Sequence, residues 1–169
     1  MNGYKAPGSE APHTPMTSSA ATHRESITHI EEFDGPASAV WAVLIDWGAI
    51  VDWMPGGYIK SLELEGQGIG AIRRLVTGQG VSVAERLDAA DEATGILELS
   101  LVDDLPWGLL SYRAIGHVEA LSDSQSRLTW QGTLEMPENG PDARRIAAML
   151  KKSYANMFRG IRQETERAG

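Results

Sequence analysis

Residues 142–167, D-A-R-R-I-A-A-M-L-K-K-S-Y-A-N-M-F-R-G-I-R-Q-E-T-E-R, decide the fold. Ile146, Met149, Leu150, Met157 and Ile161 recur at helical spacing with charges elsewhere, so the stretch predicts one long amphipathic helix. Such a helix needs a broad apolar surface to lie on. The preceding residues supply one, because alternating segments at 58–65, 71–77, 81–90, 96–102, 109–121 and 127–135 read as strands. Between them stand the turn sequences G-Q-G-I-G, T-G-Q-G, D-E-A-T-G, D-D-L-P-W-G and S-D-S-Q-S, short enough to join antiparallel neighbours only. A further strand at 26–33 leads through D-G-P at 34–36 into a helix carrying Val40, Trp41, Leu44 and Ile45 on its apolar stripe. A second short helix covers 48–53 and is stopped by M-P-G-G at 54–57. The expected architecture is α+β: a six- to seven-stranded curved antiparallel sheet wrapped around the long C-terminal helix, with two short helices after the first strand closing one end.

Within that frame the strand V-S-V-A-E-R-L-D-A at 81–89 carries an anomaly. The period of two puts Val81, Val83, Leu87 and Ala89 on the inner face with Glu85 among them. A carboxylate there is costly unless paired or hydrated, so Glu85 marks either a buried ion pair or a polar group in a hollow ligand site. In Y-I-K-S-L-E-L-E at 58–65 the same parity carries Lys60 inward with Leu62 and Leu64. Arg73 shares parity with Ala71 and Leu75 and is placed to hold Glu85 or a substrate carboxylate, while Arg74 faces out. Tyr112 alternates with Leu110, Ala114, Gly116 and Val118, a face whose small residues leave space, and Trp130 lies inward with Leu128, Gly132 and Leu134. Hydropathy sends Leu97, Leu99 and Leu101 inward and Glu98 outward; His117 and His29 read as surface and structural residues.

The chain has 169 residues, which suits one domain over 25–169 behind a flexible, proline-bearing tail over 1–24. Its net charge of -8, with no basic cluster, speaks against nucleic acid and anionic lipid as partners. There is no cysteine, and His13, His23, His29 and His117 show no paired spacing, so no metal is expected. No run approaches the roughly 20 apolar residues of a membrane span, and no signal-peptide pattern opens the chain, so a cytoplasmic location is the simplest expectation. G-Q-G-I-G lies between strands with no helix behind it, which makes it a hairpin turn rather than a dinucleotide loop.

These segments, in this order, resemble the START-like superfamily, which includes bacterial polyketide cyclase/dehydrase-like proteins, birch-allergen-type plant proteins and the plant abscisic acid receptors. The resemblance rests on P-A-S-A-V-W-A-V-L-I-D-W at 36–47, W-M-P at 53–55, L-E-G-Q-G-I-G-A-I-R-R-L at 64–75, A-E-R-L-D at 84–88, L-P at 105–106, S-Y-R-A at 111–114 and L-T-W-Q-G-T-L-E at 128–135. It implies a helix-grip fold enclosing a ligand cavity. Against the abscisic acid receptors, Y-I-K-S-L and A-E-R-L-D are similar to the segments that supply a cavity lysine and glutamate, which implies ligand-facing Lys60 and Glu85; the same comparison implies cavity roles for Tyr112 and Asn156. T-G-Q-G-V is shorter than the receptors' gate loop, and D-D-L-P-W-G has no counterpart of their latch histidine, so a phosphatase partner is not expected.

The resulting expectation is a cavity that binds a hydrophobic, aromatic or polyketide-like small molecule and acts on it without a cofactor, as a cyclase, dehydratase or lyase. Glu85, Lys60 and Tyr112 are the candidate catalytic groups, with Arg73, Leu75, Val83, Leu105, Trp107, Trp130 and Asn156 as ligand contacts. Access is expected between the turn at 77–80 and the loop at 103–108, where Leu105 and Trp107 cover an apolar mouth. The alternatives are a non-catalytic carrier or sensor, and an interaction module whose cavity has collapsed.

Overall fold

The computed structural model describes residues 21–168, so the expected tail lies mostly outside the described residues. Its last part is corrected: Thr22 to Arg24 already belong to the first strand, where they pair with Pro137 to Glu135. Strands β1 (Thr22–Asp34), β2 (Ile59–Glu65), β3 (Ile72–Thr77), β4 (Ser82–Asp91), β5 (Ile96–Val102), β6 (Ser111–Ser122) and β7 (Gln125–Pro137) form one antiparallel sheet in the order β1-β7-β6-β5-β4-β3-β2. Each pair from β2 to β7 is a simple hairpin, and β1 returns to close beside the last strand. Helices α1 (Ala37–Ile45) and α2 (Ile50–Trp53) follow β1, and α3 (Ala143–Ala168) ends the fold, as the helix-grip expectation requires.

The burial pattern follows the chemistry of the strands. β7 alternates without a break, burying Ser126, Leu128, Trp130, Gly132, Leu134 and Met136. Leu97 and Leu99 point into the core, and Glu98 bonds Arg113 on the other face. Asp142 starts α3 by accepting the Arg144 N–H on its side chain (3.0 Å). The helix buries Ile146, Met157 and Ile161 as expected, and adds Tyr154 and Phe158 to the stripe. Its later turns pack on β1. Phe158 meets the His29 ring edge-on at 4.5 Å, and Arg162 lies over Phe33 while bonding Glu31 (2.8 Å).

Two bulges overturn the simple period of two. The β2–β3 register shifts between Ile59 and Ser61, so Ile59 is buried and Lys60 is exposed; the inward Lys60 is thereby corrected, because the extra residue of a bulge takes up the parity. A second bulge between Leu87 and Ala89 pairs Ala90, rather than Ala89, with core residue Leu97. Leu110, expected inward, precedes β6 and is exposed. No helix among the described residues is long and apolar enough to cross a membrane.

Candidate functional site

Between the sheet and α3 lies a hollow of ≈ 100 Å³, walled mainly by apolar side chains including Leu75, Val83, Leu99, Leu101, Trp130 and Met157. Apart from Tyr58, Thr77 and Ser153 at its outer end, its polar groups form two clusters. In the first, Arg73 on β3 stands opposite Glu85 on β4 in the register, and its Nε donates to Glu85 Oε2 at 2.6 Å. The Arg73 guanidinium also stacks 3.7 Å from the Trp47 ring centroid and donates from Nη1 to the Trp47 carbonyl at 3.4 Å. Arg73 is thus held on three sides and buried, whereas the Glu85 side chain keeps 18% exposure toward the hollow. Arg74 faces out and bonds Glu65 and Asp103.

The second cluster is a pair of phenols. Tyr112 on β6 and Tyr154 on α3 bring their hydroxyls within 2.5 Å. Gly132 makes the room, because a Cβ there would stand 1.8 Å from the Tyr154 hydroxyl; likewise Gly116 leaves the space that the Trp130 ring occupies. The small residues on these strands therefore seat aromatic groups rather than enlarge the cavity. Burial drives the Tyr112 phenol well above its ordinary range, helped by Tyr154 and by the Glu85 carboxylate. Burial likewise pushes Tyr154 up to about 12, with Glu85 adding to it and the bond to Tyr112 opposing it. Both stay protonated at neutral pH. Since one hydroxyl donates to the other, one proton of the pair is free to be donated to a ligand oxygen.

Outside the hollow is a mouth of ≈ 650 Å³ that shares Tyr58, Thr77, Trp107 and Ser153 with it. Pro55 to Gly57 and the turn after Thr77 form one rim, drawn together by the Gly78 N–H donating to the Tyr58 carbonyl (2.8 Å), and α3 forms another. Trp107, at the boundary, adopts a left-handed backbone with φ 58, a conformation that a bulky residue holds only under local strain.

Of the expected site residues, Glu85, Arg73, Leu75, Val83, Tyr112, Trp107 and Trp130 come together around the hollow. Lys60 does not, for the bulge exposes it. Leu105 packs against the core beneath its loop without lining the hollow. Asn156 belongs to the mouth, donating to the Pro55 carbonyl at 3.2 Å. The hollow adds Tyr154, which is not among the residues expected from the sequence, although Leu150, Tyr154 and Met157 follow the i, i+4, i+7 pattern of a single helix face.

The architecture is similar to solved structures at low identity. Norcoclaurine synthase from Thalictrum flavum, in complex with dopamine and hydroxybenzaldehyde, superposes with a TM-score of 0.75 at 18% identity, covering 97% of this chain and 99% of that one. The Zhui aromatase/cyclase from a Streptomyces species gives 0.74 at 18% identity, over 86% and 95%. XoxI from Bacillus cereus gives 0.69 at 22% identity, over 82% and 93%. These likenesses concern the fold. No curated protein matches the sequence significantly. The family model described as polyketide cyclase / dehydrase and lipid transport matches residues 24–166, so nearly all of the described fold, from β1 to the end of α3, belongs to that family.

Proposed function

We propose that the protein takes a hydrophobic, aromatic or polyketide-like molecule into the hollow and acts on it by cofactor-free acid/base chemistry of the cyclase, dehydratase or lyase type. The observation that carries this reading is the meeting, in one apolar hollow, of the Glu85 carboxylate with a phenol pair that stays protonated. Glu85 is the base: it removes a proton from carbon next to a carbonyl or from a phenol. The Tyr112–Tyr154 pair donates a hydrogen bond to the oxygen on which negative charge develops, so that charge moves from one end of the site to the other without ionising a tyrosine. Arg73, fixed by Trp47, holds the Glu85 carboxylate in place through the Nε bond. Lys60 has no part in this scheme.

The hollow of ≈ 100 Å³ is smaller than the roughly 300–1,000 Å³ of pockets for drug-sized molecules. A ligand therefore enters with Trp107 displaced, placing one ring against Leu101 and Trp130 and leaving the rest in the mouth. One observation favours a second reading, a carrier or sensor: Glu85 already has a satisfied partner in Arg73.

The two readings separate when the protein is incubated with aryl β-diketones and poly-β-ketone mimics, with products followed by mass spectrometry. Loss of water or ring closure above the buffer rate, abolished by the Glu85→Gln substitution, is the expected result. Compounds that bind yet are recovered unchanged would assign carriage instead.

A further inference from the structure

The mouth differs in charge from the molecule it belongs to. The chain carries 23 acidic and 15 basic residues, yet none of the residues lining the mouth is acidic, while Lys152 and Arg159 on α3 stand at its edge. Most arginines at the surface, Arg74, Arg113 and Arg162 among them, are tied to carboxylates; Lys152 and Arg159 have no ion-pair partner among the described residues. Their seven-residue spacing puts them on one helix face, about 10 Å apart along the axis. Arg159 is oriented as well, because its Nη2 donates to Asn156 Oδ1 (2.5 Å) while Asn156 Nδ2 donates to the Pro55 carbonyl.

The inner end has the opposite character. An anion driven to the floor would be desolvated among leucines and would face the Glu85 carboxylate, whose cation is already engaged. An anion left at the mouth meets two cations and stays hydrated. Resting on the proposed ligand role of the hollow, we infer that the molecule it takes is an amphipathic anion, entering aromatic end first, with a carboxylate or phosphate held by Arg159 and Lys152. Asn156 acts as a positioning residue that aims the guanidinium. Arg159 presents a planar fork suited to two oxygens of either anion, and Lys152 a mobile point charge.

Calorimetric titration of the whole chain with naphthylacetic acid, naphthylacetamide and naphthylmethyl phosphate tests this. The acid and the phosphate should bind about three- to tenfold more tightly than the amide, as expected for exposed charge pairs at low salt. The stronger of the two identifies the anion. The preference should fall below about twofold in the K152Q/R159Q double variant and in about 0.5 M NaCl, with amide binding and thermal melting unchanged. Equal affinities for acid and amide in the wild-type protein, or a preference that survives in the double variant, would overturn the inference while leaving the ligand role of the hollow intact. Failure of all three probes to bind would remove both readings.

Discussion

The two halves of the grip are packed differently. Toward β7 and β1 the helix is seated on the sheet: Phe33, Leu128, Leu134, Phe158 and Ile161 are almost fully buried, and the Arg162 ion pair with Glu31 closes the outside. Toward β3, β4 and β5 the helix stands away, and Val83, Glu85, Leu101, Leu150 and Ser153 are only half-buried around the hollow. The same sheet thus provides a core at one end and a hollow at the other. Polar groups collect where packing is incomplete, since only there can a carboxylate and two hydroxyls be partnered without excluding a ligand.

The largest effect that tests this contrast is on stability. Phe158→Ala should cost about 3–5 kcal/mol in urea unfolding, the usual range for removing a fully enclosed aromatic ring. Leu101→Ala, on the wall of the hollow, should cost below about 2 kcal/mol, because part of its surface already faces space. Equal costs would erase the distinction between the halves.

Next comes alkaline pH. An unfolded tyrosine ionises near 10, while folded Tyr154 holds its proton to about 12. Between these values the native state binds more protons than the unfolded state, so stability falls as pH rises. The Tyr154 contribution, roughly 2–3 kcal/mol, is fully present below pH 10 and is lost progressively toward 12. Tyr112 is shifted in the same direction. Urea titrations at a series of pH values should show a shallower alkaline decline in the Y112F/Y154F double variant than in the wild type.

A smaller effect is expected within the phenol pair. Tyr154→Phe leaves the buried Tyr112 hydroxyl without its partner and should cost about 1–3 kcal/mol, whereas replacing both should restore part of the loss. A double-mutant cycle measures the coupling directly; additive losses would show that the 2.5 Å contact contributes nothing.

These contrasts also explain what the sequence made legible. The strands, their order and the long helix follow from alternation and from turns too short for anything but hairpins, and Glu85 stands out because one carboxylate interrupts an apolar face. Lys60 could not be placed correctly, because a bulge adds one residue without a sequence signal and every parity argument across it reverses. Tyr154 is hidden in the sequence for another reason. Its spacing fits the helix face, but its role depends on Gly132, which lies across the fold on β7 and gives way to its hydroxyl. The pairing of Arg73 with Glu85 was open to inference from parity; the stacking of Arg73 on Trp47 was not, since the loop after α1 carries no periodicity.

The central claim, that Glu85 is a base opposite a protonated phenol pair, is tested most directly by proton exchange. β-Tetralone, a ring-fused ketone with an acidic benzylic carbon–hydrogen bond next to its carbonyl, is incubated in deuterated buffer with wild-type protein and with Glu85→Gln, and deuterium uptake is followed by nuclear magnetic resonance. The substituted amide can still accept the Arg73 N–H, which remains supported by Trp47, so the fold is retained. The account predicts exchange above the buffer rate in the wild type and a fall of about 10²–10⁴-fold in the variant, with tetralone affinity little changed. Exchange that is the same in both proteins, or a bound ketone that exchanges no faster than in buffer alone, would contradict it.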